Sequence, residues 1–243
     1  MARGVKRSEF VQLAASAVVT ALRPVTLRVQ PPMTPAAAAV DHLIIGVSDL
    51  DAGIAWAEQA TGVRPAVGGS HPGRGTRNVL MALAGRQYIE IMGPDPLQNV
   101  PRSELRELRE PRLIGWAAAA ADIEALATRV RAAGLSTPGP RPGSRARPDG
   151  RMVRWTTLGV QTGFATGAVD PIPFFIAWDP ASVHPSQDSP KGSELATLEF
   201  EHPDVDGLRR TFAQLGIQAQ VRGGTAARIM ATLKTPKGPV TLS

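Results

Sequence analysis

Two hydrophobic periods alternate along the chain. From Val40 the stretch VDHLIIGV is almost continuously apolar, which predicts a buried strand. Next comes DLDAGIAWAEQATG, where Leu50, Ile54, Ala57 and Ala60 fall near helical spacing. Asp49 or Ser48 is placed to cap that helix, and Gly62 to stop it. VRPAVGG, RNVLMALAG and RQYIEIMG then predict three strands, the last two joined by a turn at Ala84-Gly85. The unit so described is β-α-β-β-β.

The pattern returns twice. RLIGWAAAAADIEALATRVRAAGL predicts a strand and then a helix with Ile123, Leu126 and Val130 on one face. GRMVRWTTLG and IPFFIAW predict later strands of the same unit. LATLEFEHPDVDGLRRTFAQLGI repeats strand and helix, followed by QAQVRGG, ARIMATLKT and GPVTLS. The helix starts align as VSDLDAG, AADIEAL and HPDVDGL, and each helix stops at a glycine, Gly62, Gly134 or Gly216. A supersecondary unit recurring at this length marks a repeat architecture. The expected organisation is a tail over residues 1–38, units over 39–97 and 112–180, and a shorter third unit over 194–243. Proline-bearing polar linkers fill 98–111 and 181–193, and STPGPRPGSRARPDG reads as a long loop inside the second unit.

Composition narrows the function. There is no cysteine, which removes disulfides and thiolate metal sites. The formal charge of +6 is concentrated at the start, where Arg3, Lys6, Arg7, Arg23 and Arg28 face Glu9 alone. The body lacks the basic stripe with interleaved aromatics that a nucleic-acid binder carries, so no nucleic-acid partner is expected. VKRSEFVQLAASAVVTAL begins basic and turns apolar, like a signal peptide. Gln12, Ser16 and Thr20 interrupt it, and it is too short to span a membrane. Arg23 and Arg28 fall where a cleavage region is expected. Residues 1–32 therefore read as a non-structural tail, with translation from Met33 as another account. The expected location is the cytoplasm, or outside it if the segment is a true signal.

The repeated unit, opening with DHLIIGVSDLDAGIAW and closing with YIEIMGPDP, resembles the vicinal oxygen chelate superfamily. GGSHPGRGTRN followed by YIEIMGPDP is similar, more narrowly, to its glyoxalase-like domain proteins. The resemblance implies an α+β fold of β-α-β-β-β units whose strongly curved mixed sheets form a cup around a metal or a small molecule. It implies a small-molecule enzyme of lyase or isomerase type acting on a carbonyl or enolisable substrate. A non-catalytic binding or sequestration protein of the same fold is the alternative. An odd number of units leaves a homodimer open.

The superfamily draws a metal ligand from the first strand of a unit and a carboxylate from the last. His42 and Glu90 hold those positions, and they are the expected catalytic pair. Imidazole and carboxylate together suit Zn, Ni, Mn or Fe. Aligned helix starts place Gly115 or Trp116 opposite His42 in the second unit and Thr197 in the third. Ile176 and Thr241 stand near the carboxylate position. The pair is then short of the three protein ligands a catalytic metal usually has, unless His71 or Glu199 supplies one. The metal-free reading is a polar pair at the base of a cavity. No nucleotide cofactor is expected, because no Gly-Lys-Ser/Thr follows the glycines. Expected substrate contacts are His71, Thr76 and Asn78 from the glycine-rich loop, Tyr88 beside Glu90, and Arg154 and Trp155 from a strand of the second unit. The remaining arginines of GPRPGSRARPDGRMVRW read as a solvated loop.

Overall fold

The three aspartates that open the repeated helix motif are N-caps. Asp49, Asp122 and Asp204 accept backbone N–H groups from Ala52, Ala125 and Gly207 at 2.8, 2.9 and 2.8 Å. The glycines at the far ends, Gly62, Gly134 and Gly216, take the left-handed conformation that stops a helix, with φ of 78°, 81° and 74°.

The computed structural model describes residues 1, 33–99 and 103–243. Most of the expected tail, residues 2–32, lies outside the described residues. The body starts ahead of residue 39, with β1 (Thr34–Pro35) and α1 (Ala36–Ala39). The first unit is β2 (Val40–Gly46), α2 (Leu50–Thr61), β3 (Ala66–His71), β4 (Thr76–Ala82) and β5 (Tyr88–Pro94). After α3 (Ser103–Arg106) the second is β6 (Arg112–Ala119), α4 (Ile123–Ala132), β7 (Pro140–Ala146), β8 (Met152–Leu158) and β9 (Phe174–Trp178). After α5 (Pro185–Asp188) come β10 (Glu194–His202), α6 (Val205–Gln214), β11 (Ile217–Gln218), β12 (Gln220–Gly223), β13 (Arg228–Thr235) and β14 (Gly238–Leu242). No helix among the described residues is long and apolar enough to cross a membrane.

The first two units share one eight-stranded sheet in the order β3-β4-β5-β2-β6-β9-β8-β7. The order reads alike from either edge, as a pseudo-twofold between β2 and β6 requires. Those two first strands pair antiparallel, and each pairs in parallel with the last strand of its own unit. The sheet curls so far that its edges approach. A Cβ built on Gly69 of β3 would lie 2.8 Å from the carbonyl oxygen of Ala146 on β7. The result is the curved mixed sheet expected, nearly closed into a cup.

The segment expected to be a loop, STPGPRPGSRARPDG, instead supplies β7, paired with β8 over Pro140–Ala146. Its prolines suit an edge strand, where a missing N–H need not break a ladder. The third unit also departs from the others. Its sheet runs β12-β10-β13-β14, so β13, not the last strand, pairs beside the first strand β10. After α6 the chain docks β12 in parallel on β10, and β13 takes β10's other edge.

By strand alternation, Leu43, Ile45, Val79, Met81, Ile89, Ile91 and Trp116 lie on the convex face of the large sheet. They form one core with Phe200 and Phe212 of the third unit. Trp116 joins the two: its ring stands 5.9 Å from Phe200 and 6.4 Å from Phe212, and its Nε1–H donates to the Pro171 carbonyl at 2.8 Å. The third unit thus backs the cup and does not line it. Trp116→Ala should destabilise the fold by about 3–5 kcal/mol, since it opens a cavity between the sheets and orphans the Pro171 oxygen. Chemical denaturation of wild type and variant reads this directly. A loss below about 1 kcal/mol would mean the third unit does not depend on this contact.

Candidate functional site

The cup is built around an irregularity in β2. Val40 pairs with Ala118 and His42 with Ala117, so Asp41 is an extra residue without a partner on β6. A bulge of this kind re-aims side chains. Here it allows adjacent residues to meet: the Nδ1 of His42 lies 2.8 Å from Asp41 Oδ1. Asp41 also receives Trp178 Nε1–H at 3.1 Å and contacts His184 Nε2 at 3.1 Å. The backbone N–H of Ser186 donates to His184 Nδ1, which leaves Nε2–H to donate to Asp41. Asp41 thereby accepts from three rings. Burial alone would raise its pKa, but the hydrogen bonds from His184 and His42 and their charges lower it from 3.8 to about 2.

His42 turns its other nitrogen into the cup. Nε2 lies 3.6 Å from Glu90 Oε2, and the ring stacks on Tyr88 with centroids 4.6 Å apart. Glu90 sits two residues along from Tyr88, on the same face of β5, as strand alternation predicts. It accepts from Asn78 Nδ2 at 2.7 Å, and His71 Nε2 stands 3.4 Å from its Oε1. Thr76 bonds the far nitrogen of His71 at 2.8 Å. Two glycines make this packing feasible. A Cβ on Gly68 would come within 2.3 Å of Asn78 Oδ1, and one on Gly143 within 2.5 Å of Trp155 Nε1.

Burial pushes Glu90 up, but His71, His42, the Asn78 hydrogen bond and Arg145 outweigh it and hold the carboxyl below its usual range. Burial lowers His71 against the pull of Glu90, so at neutral pH the charge of this pair rests on the carboxylate. Burial also raises Tyr88, with Asp41 and Glu90 adding to it, and keeps the phenol protonated.

These residues line one cavity of about 420 Å³. His42, Glu90, His71, Thr76, Asn78, Tyr88 and Trp155 all reach it. Arg154 does not: it neighbours Trp155 on β8 and so takes the outer face, where it is exposed. Arg145 and Arg141 line the wall instead, because β7 is a strand whose odd positions face inward. Sequence reasoning missed Asp41, since alternation puts it on the face opposite His42 and a bulge has no sequence mark here. Nor does the sequence mark His184, which stands before a proline in a linker, yet its ring is fully buried against Asp41. The second unit brings no matching pair. By register the counterpart of His42 is Gly115, and that of Glu90 is Phe174, one inward position before Ile176.

His42, His71 and Glu90 offer the chemistry of a divalent-metal site, and Asp41 supports His42 as carboxylates support ligating imidazoles. Glu199 lies in the four-stranded sheet, away from the cavity. The Asn78 amide decides the fit. It donates to Glu90 and stands 3.3 Å from His71 Nε2, so a proton donor already holds the lone pairs a cation needs. Among the described residues no group of three or more His, Asp or Glu is set to hold a metal ion. As arranged, the residues do not fit one.

Comparison with known proteins locates the chain. Residues 40–216 match the family model described as the glyoxalase-like domain. No curated protein matches the chain significantly. A hypothetical protein from Staphylococcus aureus shares the fold, with a TM-score of 0.62 and 16% identity over 78% of this chain and 87% of that one. More distant are a methylmalonyl-CoA epimerase from Mycobacterium tuberculosis and a variant 4-hydroxymandelate synthase from Streptomyces coelicolor. The first has a TM-score of 0.39 and 22% identity over 61% of this chain and 91% of that one. The second has 0.49 and 16% over 87% and 63%.

Two outcomes test this geometry. Asp41→Asn should cost about 2 kcal/mol at pH 7, the free energy of lowering a carboxyl pKa from 3.8 to about 2. A depressed pKa stabilises the fold above the unfolded value, and that stability is lost as pH falls through the folded one. The gap between wild type and variant in denaturant melts should therefore shrink between about pH 4 and pH 2; a gap independent of pH would refute the assignment. Asn78→Asp replaces the amide donor with an acceptor beside His42, His71 and Glu90. After dialysis against Zn, this variant should retain one equivalent of metal and wild type far less. A full equivalent on wild type would show that the amide is no barrier.

Proposed function

Because the chain belongs to the glyoxalase-like domain family of the vicinal oxygen chelate superfamily, we propose that it is a small-molecule enzyme of lyase or isomerase type. It moves a proton at a carbon next to a carbonyl. The observation that carries this reading is Glu90, an ionised carboxylate buried at the floor of the cup between two imidazoles. Glu90 is ionised at neutral pH and so ready to accept a proton, and its burial brings the substrate's C–H bond to it without intervening water. Glu90 takes the proton, and the electrons of the C–H bond pass into the carbonyl as an enolate. His42, its ring oriented by the Asp41 carboxylate, presents Nε2 to the substrate oxygen where the negative charge develops. Asn78 fixes the Glu90 carboxylate, and Thr76 fixes the His71 ring beside it.

The aromatic wall of Trp155, Trp178 and Phe174 supports a second reading, in which the same cup binds a small molecule without turnover. Deuterium exchange separates the two. Wild type should speed incorporation of deuterium from D2O into pyruvate, phenylpyruvate, their neutral esters or hydroxyacetone, followed by proton NMR. Glu90→Gln should lose at least about 100-fold of that rate, the lower range for a general base. Exchange at the buffer rate with every compound would leave the binding reading in its place.

A further inference from the structure

One buried charge in the cup has no hydrogen-bonded counterpart. Arg145 is 5% exposed, yet its Nη1 is buried with no hydrogen-bond partner. Among the described residues its guanidinium makes no hydrogen bond or ion pair. The carboxylate that lines the cavity, Glu90, and Asp41 behind it are both engaged elsewhere. Asp41 is held by His42, Trp178 and His184, and Glu90 by Asn78 between the two histidines. Arginine keeps its charge even when buried, so the unpaired donors call for an anion from outside.

The backbone makes room for this side chain. Arg145 lies at the seam where the sheet edges approach, and a Cβ on Gly69 would come 2.9 Å from Nη1 and 3.3 Å from Cδ. Gly69 also holds φ at 138°, a conformation that side chains rarely adopt. The guanidinium is therefore built into the wall and is not a solvated chain folded inward. Around it the wall is aromatic, with Trp155, Trp178 and Phe174 lining the same cavity. The cup is polarised: anionic at Glu90 on β5, cationic at Arg141 and Arg145 of β7 and at the exposed Arg74 between β3 and β4.

We propose that Arg145 anchors the carboxylate of a small organic acid whose apolar body lies along the Trp155 and Trp178 wall. Resting on the proton-transfer reading above, this gives the substrate class: a carboxylate held at β7 leaves the carbonyl and the enolisable carbon beside it to face Glu90. The planar guanidinium fork matches a carboxylate in two parallel hydrogen bonds. A cavity of about 420 Å³ suits an acid of this size and leaves little space for a nucleotide or a peptide.

Calorimetric titration with 3-phenylpropionate and its neutral amide, 3-phenylpropionamide, tests the anchor without turnover. Wild type should bind the acid at least tenfold more tightly than the amide. Arg145→Gln should erase that preference and leave amide binding unchanged, while Arg145→Lys keeps part of it. Arg154→Gln, on the outer face of β8, should bind both as wild type does. Inorganic phosphate should bind wild type at least tenfold more weakly than the acid; the reverse would assign the site to phosphate and overturn the carboxylate. The proposal also fails if wild type treats acid and amide alike, if it binds no acid at millimolar concentration, or if Arg145→Gln binds the acid unchanged. Glu90→Gln separates the two readings, because it should keep acid binding while losing deuterium exchange. Acid binding without exchange in wild type would remove the proton transfer and leave the anchor standing.

Discussion

The antiparallel pairing of β2 with β6 is the constraint on which the molecule rests. It fuses two four-stranded half-sheets into one curved surface, and its inner face becomes the cup. The bulge in that pairing sits at Asp41 and sets the aim of His42. A regular ladder would send Asp41 to the convex face, into a core of Leu43, Ile45 and Trp116. A carboxylate stranded there would cost several kcal/mol. One extra residue in one strand thus converts a liability into the support of the site.

The cup concentrates charge that a domain interior normally excludes. Each buried anion has its own partners: three ring N–H groups donate to Asp41, and an amide donates to Glu90 with two imidazoles beside it. Both carboxyls stay ionised against the push of burial. Such depressed carboxyls, clustered in a cavity, are a recurrent property of working sites. Structural ion pairs show similar shifts, but here Glu90, His42 and His71 also face open space.

Much of this was legible from residue order. Asp49, Asp122 and Asp204 with their glycine stops gave the helices, and alternation in YIEIM put Tyr88, Glu90 and Met92 on one face of β5. His42 and Glu90 do share a cavity. What escaped depends on features that local pattern does not encode. Whether a Pro-rich segment becomes a loop or an edge strand depends on whether a partner strand reaches it, so Arg145 was read as solvated. Asp41 was hidden by the bulge, and Arg154 was favoured because strand membership does not say which face is inward. The sheet order of the third unit was hidden too, because chain order β-α-β-β-β is common to both arrangements.

The contact between His184 and Asp41 joins residues 143 positions apart in the chain. Loop closure over such a span is slow compared with local pairing, because chain entropy must be lost before the contact forms. During synthesis Asp41 and His42 leave the ribosome long before the segment that holds them in register. The first unit can form its helix and hairpins early, but its own histidine is not fully oriented until the second unit is complete and the connecting segment has folded back beneath it. Competence at this site is therefore a late event in the life of each new chain, and a truncated product that stops before residue 184 carries the first unit's His42 and Glu90 without the ring that completes the grip on Asp41.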